Sequence, residues 1–241
     1  MEPTAKNKNR VRLVRTKRGA RLLQDDAVLS EILAQPGPTH GWFDVLAACV
    51  STLATEPGFL MLGFAGGGVV APLRAMGYSQ PIEAVDVSSD GQAVFQELSS
   101  SWAGEVTVHC SDAAAWLEHT VASYSVILDD LSVPTSRGVL KPTATLETLP
   151  SILAKRLRPG GAALFNLLPS PDHPWSAQTR MIGEPFSELI VVRDSEYENR
   201  ILIGARELPA AGILAGDLRA HLERIDSKRS ANLRLNTVRR R

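Results

Sequence analysis

Cysteine is nearly absent: Cys49 and Cys110 are the only two in 241 residues. They show no CxxC spacing and have no His or Cys cluster beside them, which speaks against a zinc ribbon or a disulfide framework. Two buried thiols in a reducing compartment are the expectation. The histidines, His40, His109, His119, His173 and His221, are scattered without metal spacing, so no metal is expected. Long apolar runs are also missing. The longest, residues 59–73, contains four glycines and ends at Arg74, short of the ~20 residues that a membrane helix needs. The opening MEPTAKNKNR lacks the apolar stretch of a signal peptide. A cytoplasmic protein is expected, with no membrane partner.

Net charge is absent overall but not locally. Residues 1–21 hold eight Lys/Arg and one acid, and residues 219–241 hold eight Lys/Arg and two acids. The body, 22–218, is left with ten basic and 23 acidic residues. Two basic ends on an acidic domain read either as solvated tails or as contacts for nucleic acid or an acidic partner. The acidic body argues against nucleic acid running across the main domain and is compatible with a cationic small substrate.

What is present suits one large α/β domain, since 44% of residues are apolar and 22% charged. VRLV and ARLL flank the turn-like Lys17–Gly19, which predicts a small hairpin within 11–35. Gln35-Pro36-Gly37-Pro38 is a breaker. Helical spacing then resumes through WFDVLAACVSTLA. Short apolar strands are predicted at 59–64, 82–87, 106–110, 124–131 and 162–168. Helices are predicted at 69–76, 89–102, 112–119, 143–157 and 176–182. Such alternation implies a parallel sheet covered on both faces. Strands at 187–194 and 199–207 are too close for a helical crossover and should form an antiparallel hairpin. The division expected is a basic arm and hairpin at 1–38, a main α/β domain at 39–210, and a helical, basic tail at 211–241.

Ligands of open α/β sheets bind beyond the carboxyl ends of the strands, and four features fall there. Gly63-Phe64-Ala65-Gly66-Gly67-Gly68 joins the first strand to its helix, where glycine permits close approach and positive φ. A tight turn without a ligand would use the same residues. Asp86 ends the second strand, 23 positions after Gly63. A carboxylate at about that offset can accept from both hydroxyls of a ribose, or merely cap the next helix. Ser111-Asp112 follows the third strand; Asp112 could accept from the adenine amine, and it is also a good N-cap. Asp129-Asp130 ends the fourth strand. Adjacent side chains diverge on an extended chain, so one should face the pocket. A carboxylate crowded by others gains proton affinity and suits base work. Turn chemistry before Pro134 is the plain alternative. Asn166 and the loop 169–174 border the same rim.

The stretch from Gly63 to about Asn166 resembles the spermidine synthase family of the class I S-adenosylmethionine-dependent methyltransferase superfamily. The family's GGGDGG lies over 63–68, its ribose-binding acid over Asp86, its GD pair over Ser111-Asp112, and its DSSDP over 130–134. The LRPGG turn at 157–161 is shared widely with methyltransferases. The resemblance implies a Rossmann-like, mostly parallel seven-stranded sheet with a terminal antiparallel strand, preceded by a small hairpin. It implies S-adenosylmethionine or its decarboxylated form as cofactor. It assigns cofactor binding to Gly63, Ala65, Gly66, Gly67, Gly68, Asp86, Val87, Ser111, Asp112 and Asp129, and catalysis to Asp130.

Three departures bear on function. Gly66 stands where the family has an acid for the amino group of the decarboxylated cofactor. Val133 stands where it has a second acid for the amine substrate. Trp42-Phe43-Asp44 replaces its Tyr-His/Gln-Glu. The nucleoside half of the motif set is kept and the polyamine half is largely lost. Methyl or unspecified alkyl transfer to an unidentified small-molecule acceptor is therefore favoured over polyamine aminopropyl transfer. A non-catalytic binding module is the alternative. A nicotinamide oxidoreductase, suggested by the GxAxxG reading of Gly63, Ala65 and Gly68, fits the terminal hairpin less well. Expected partners are the acceptor, a second copy of the chain in a homodimer, and an acidic surface for the basic ends.

Overall fold

A computed structural model describes residues 11–24, 27–135 and 138–239. The first ten residues of the basic arm and the last two arginines lie outside the described residues. The chain opens on three strands, β1 (Val11–Thr16), β2 (Gly19–Gln24) and β3 (Ala27–Leu33), paired antiparallel in that order. Gly19 sits at φ 148°, and a Cβ there would lie 2.0 Å from the Ile32 carbonyl oxygen. The turn at Lys17–Arg18 thus needs glycine. The expected hairpin is in fact a three-stranded meander. The third strand is driven by Ile32 and Leu33, both buried.

The main domain runs α1 (Trp42–Leu53), β4 (Phe59–Leu62), α2 (Val70–Ala75), β5 (Ile82–Asp86), α3 (Asp90–Ser99), β6 (Val106–Cys110), α4 (Ala113–His119) and β7 (Tyr124–Asp129). A small pair, β8 (Val133–Thr135) with β9 (Gly138–Leu140), precedes α5 (Thr143–Glu147), α6 (Leu149–Arg156) and β10 (Leu157–Leu167). The helix expected over 143–157 is split because Pro150, in the first turn of α6, has no N–H to extend α5. Then come α7 (Trp175–Gly183), β11 (Glu188–Asp194), β12 (Arg200–Ala205), α8 (Ala211–Arg224) and β13 (Leu233–Thr237).

The sheet order is β13-β11-β12-β10-β7-β4-β5-β6. The five strands from β10 to β6 are parallel, and β12, β11 and β13 continue them antiparallel. The sheet has eight strands rather than seven. The extra one, β13, lies in the segment expected to be a helical tail. Leu233 is fully buried there, and alternation in LRLNT gives β13 an inward and an outward face.

Helices cover both faces. Leu46, Val50, Leu73, Leu218 and Leu222 pack on one face with Met61 and Leu164. Leu117, Leu149, Leu153 and Ile182 pack on the other with Leu62 and Phe165. Cys49 is buried in the first of these layers, and burial pushes its thiol pKa up. Cys110 is exposed, contrary to expectation, because it ends β6 at the border of the sheet. Among the described residues no helix is long and apolar enough to cross a membrane, and no group of three His, Cys, Asp or Glu could hold a metal.

Candidate active site

Beyond β4 the backbone turns at Gly63, with φ 88°. A Cβ at Gly63 would lie 2.8 Å from the Asp130 carbonyl oxygen, so glycine lets the ends of β4 and β7 touch. Ala65 follows at φ 48°, a left-handed conformation that costs an L-residue of order 1 kcal/mol or more. Its N–H donates to Asp86 Oδ2 at 2.7 Å, while the Ser88 N–H donates to Asp86 Oδ1 at 2.9 Å. Asp86 therefore ties the loop after β4 to the loop after β5. Each carboxylate oxygen keeps a further lone pair, and the side chain borders a cavity of about 770 Å³. Small-molecule sites typically span ~300–1,000 Å³.

Gly63, Ala65, Asp86 and Val87 line this cavity. Val87 is 70% exposed, an apolar platform beside the carboxylate. Gly66, Gly67 and Gly68, expected to touch a ligand, are buried instead and do not border the cavity. A Cβ on Gly66 would lie 2.5 Å from Ile32 Cδ1, one on Gly67 2.7 Å from the Phe64 ring, and one on Gly68 3.0 Å from Ser30 Oγ. The meander and the core fill that half of the bend.

Ser111 and Asp112 are also outside the cavity lining. Asp112 is exposed and caps α4, its Oδ1 accepting from the Ala115 N–H at 3.0 Å. The N-cap alternative describes this residue. Asp129 and Asp130 diverge as neighbours on a strand do. Asp129 points into the core, where Lys141 Nζ meets its Oδ1 at 2.9 Å and both side chains are buried. It does not reach the cavity; Asp130 does.

Asp130 is held by a relay of amides. Trp42 Nε1 donates to Asn166 Oδ1 at 2.8 Å, Asn199 Nδ2 to the same oxygen at 3.3 Å, and Asn166 Nδ2 to Asp130 Oδ1 at 2.6 Å. Loss of solvent pushes the Asp130 carboxyl up to about 6, with Asp129 and Asp86 adding repulsion. The Asn166 hydrogen bond and the Lys141 charge oppose this without cancelling it. Trp42 in turn leans on Tyr197, ring centroids 5.5 Å apart. Tyr197 is backed by Arg229, whose guanidinium carbon lies 5.6 Å from the ring centroid and which pairs with Glu196 at 2.8 Å.

The rim at 39–41 is organised by Asp44. Its carboxylate accepts from the Thr39 N–H and Oγ1, the His40 N–H and Ser227 Oγ, at 2.6–3.0 Å. Sequence reasoning singled out Asn166 and 42–44 but missed Tyr197, Asn199 and Arg229. Tyr197 sits in the short link between two strands and looks like a plain turn residue, and Asn199 reads as the first residue of the strand expected at 199–207. The arginine sits in a basic run.

No protein-family model matches the chain, and no curated protein matches it. Solved structures do. A spermidine synthase from Thermotoga maritima superposes with TM-score 0.63 at 12% identity, over 92% of this chain and 77% of the other. A spermidine synthase in complex with the transition state analogue AdoDATO gives 0.61 at 11% identity, again over 92% and 77%. Human methyltransferase-like protein 13 in complex with SAH gives 0.59 at 18% identity, over 77% and 90%. The chain has the class I methyltransferase fold. A small N-terminal antiparallel sheet precedes the main sheet, and the overlap with the two spermidine synthases extends over 92% of this chain.

Proposed function

We propose that the protein is a transferase that binds S-adenosylmethionine or a related sulfonium nucleoside and passes a methyl or alkyl group to a nucleophile held at Asp130. The observation that carries this reading is that Asp86 and Asp130 border one cavity. When bound, the sulfonium supplies an electrophilic carbon: the nucleophile–carbon bond forms, the carbon–sulfur bond breaks, and the electron pair stays on sulfur as a thioether.

The residues present fit the nucleoside. Asp86 offers its remaining lone pairs to a ribose diol, and Gly63 and Ala65 shape the floor. Val87 offers a face to the base. Asp130, ionised at neutral pH with a carboxyl near 6, is a better proton acceptor than an ordinary carboxylate. It orients the nucleophile and takes the proton released on transfer. Asn166 fixes its direction.

The residues do not fit the amino end of the decarboxylated cofactor. Ile32 occupies the space beside Gly66 where the resemblance expects an acid, and Val133 offers no charge to a diamine. Methyl or another alkyl transfer is favoured on that ground.

The test is a melting-temperature panel with S-adenosylmethionine, its decarboxylated form, methylthioadenosine and NAD. A ligand at 100 times its dissociation constant adds about 2.7 kcal/mol of stability. S-adenosylmethionine and methylthioadenosine should stabilise the protein, and Asp86→Ala should abolish the response. Asp130→Asn should keep it. Stabilisation by NAD alone, or by no adenosine compound, would sink the reading.

A further inference from the structure

β13 carries part of the basic C-terminal segment into the sheet. Arg234 lies directly opposite Arg193 of β11, and Arg193 directly opposite Arg200 of β12. Opposed residues on antiparallel strands project from one face. Three arginines therefore stand in a row across the strands, their backbones one strand spacing or roughly 4.8 Å apart per step. Arg193 and Arg234 are exposed. Arg200 is half-buried, its guanidinium carbon 4.2 Å from the centroid of the Trp175 ring.

Among the described residues none of the three has a carboxylate partner. The nearby acids Asp194 and Glu196 are committed to Arg229. Like charges directly opposite one another weaken a sheet, so the row costs stability in the free protein. Two of the three, Arg193 and Arg200, stand in the otherwise acidic body, and Arg234 joins them from the basic C-terminal segment. Its inner end adjoins the cavity: Arg200 follows Asn199, a lining residue, and pairs with Leu167, next to lining residue Leu168.

We infer that this row binds the phosphodiester backbone of single-stranded nucleic acid, running from the β13 edge towards the cavity mouth. Arginine's planar fork matches phosphate oxygens two at a time. Half-buried Trp175 within the row and half-buried Tyr197 at the cavity mouth present part of their aromatic faces, on which unpaired bases stack; Trp42 itself is buried. An acidic peptide would find the same charges but has no use for those faces. The inference stands apart from the transferase reading, since it needs no nucleoside cofactor.

The test is fluorescence anisotropy of a labelled single-stranded 12-mer against the full chain over a salt series, without cofactor. Each phosphate contact contributes about 0.7 to the slope of log affinity against log salt. Arg193→Gln/Arg234→Gln should weaken binding at least tenfold at low salt and flatten the slope by about 1.4. Arg193→Lys/Arg234→Lys keeps the charge and should keep the slope, which guards against a folding artefact. Lys155→Gln/Arg206→Gln removes two charges elsewhere and should leave the slope unchanged. No binding of the 12-mer, an equal loss in the Lys155/Arg206 variant, or tighter binding to polyglutamate or to phosphatidylserine vesicles would each overturn the inference.

Discussion

Ser227 Oγ donates to Asp44 Oδ2 at 2.6 Å across 183 residues of chain. Both side chains are buried, and among the described residues Asp44 pairs with no cation; its carboxylate is satisfied there by hydrogen-bond donors. The segment after α8 is thus a clasp on the rim of the cavity rather than a loose tail. A hydrogen bond to a charged group contributes about 1.5–3 kcal/mol. Ser227→Ala should cost about that much in urea denaturation at pH 7, and Ser227→Thr should cost less. A loss below ~0.5 kcal/mol would mean that water replaces the hydroxyl at no cost.

Asp130 should make the protein less stable as pH rises. Its folded-state carboxyl lies near 6, above an ordinary value of 3.8. The unfolded chain therefore releases this proton first. The favourable contribution is whole below about pH 4 and is lost as pH climbs through 6. A shift of this size corresponds to at most about 3 kcal/mol, and the part of Asp130 open to the cavity reduces that. Asp130→Asn keeps the acceptor for Asn166 but cannot ionise. It should raise stability by roughly 1–3 kcal/mol at pH 7.5 and change little at pH 4. The midpoints of urea titrations at the two pH values check this. Equal effects at both would show that burial does not govern the carboxyl.

Much of the fold was legible, because continuous apolar strands and glycine turns follow directly from backbone physics. Phe59–Leu62 and Tyr124–Asp129 read as buried strands because every residue in them is buried. β13 was not legible: its two leucines flank Arg234 between asparagines in a basic segment, and only pairing with β11 decides whether such a segment is tail or strand. At the site, the Asp129–Asp130 divergence could be foreseen, but not which acid faces the cavity. That depends on Lys141, twelve residues on, which folds back to Asp129. The glycines at 66–68 could not be assigned either. A glycine approached by a ligand and one approached by Ile32 look identical in sequence.

Ile32 and residue 66 compete for one space. Gly66 is not at positive φ, so its replacement is opposed not by backbone strain but by the clash with Ile32 and Leu22. Gly66→Asp, which restores the acid that the resemblance expects, should cost 1–3 kcal/mol or more by overpacking. Ile32→Ala alone should cost about 2–4 kcal/mol. Together they should cost at least 1 kcal/mol less than their sum. A double-mutant cycle in urea measures this. Strict additivity would mean that the meander does not rest on the glycine bend.

Asp86 and Asp130 repel each other across the cavity, and each would gain from a positive charge held between them. Asp86 is among the groups that push the Asp130 carboxyl up. A sulfonium ligand reverses that pressure and favours the ionised form, whereas a thioether of the same shape does not. Binding of S-adenosylmethionine should therefore tighten, by about tenfold, between pH 5 and pH 7, in step with a carboxyl titrating near 6. Methylthioadenosine should bind with little change over the same range. Asp130→Asn should flatten the S-adenosylmethionine profile and leave the thioether's alone. Calorimetric titration at the two pH values reads all four constants. If both ligands follow the same pH course, Asp130 does not face the sulfur, and the transfer chemistry proposed for it fails while nucleoside binding at Asp86 can still stand.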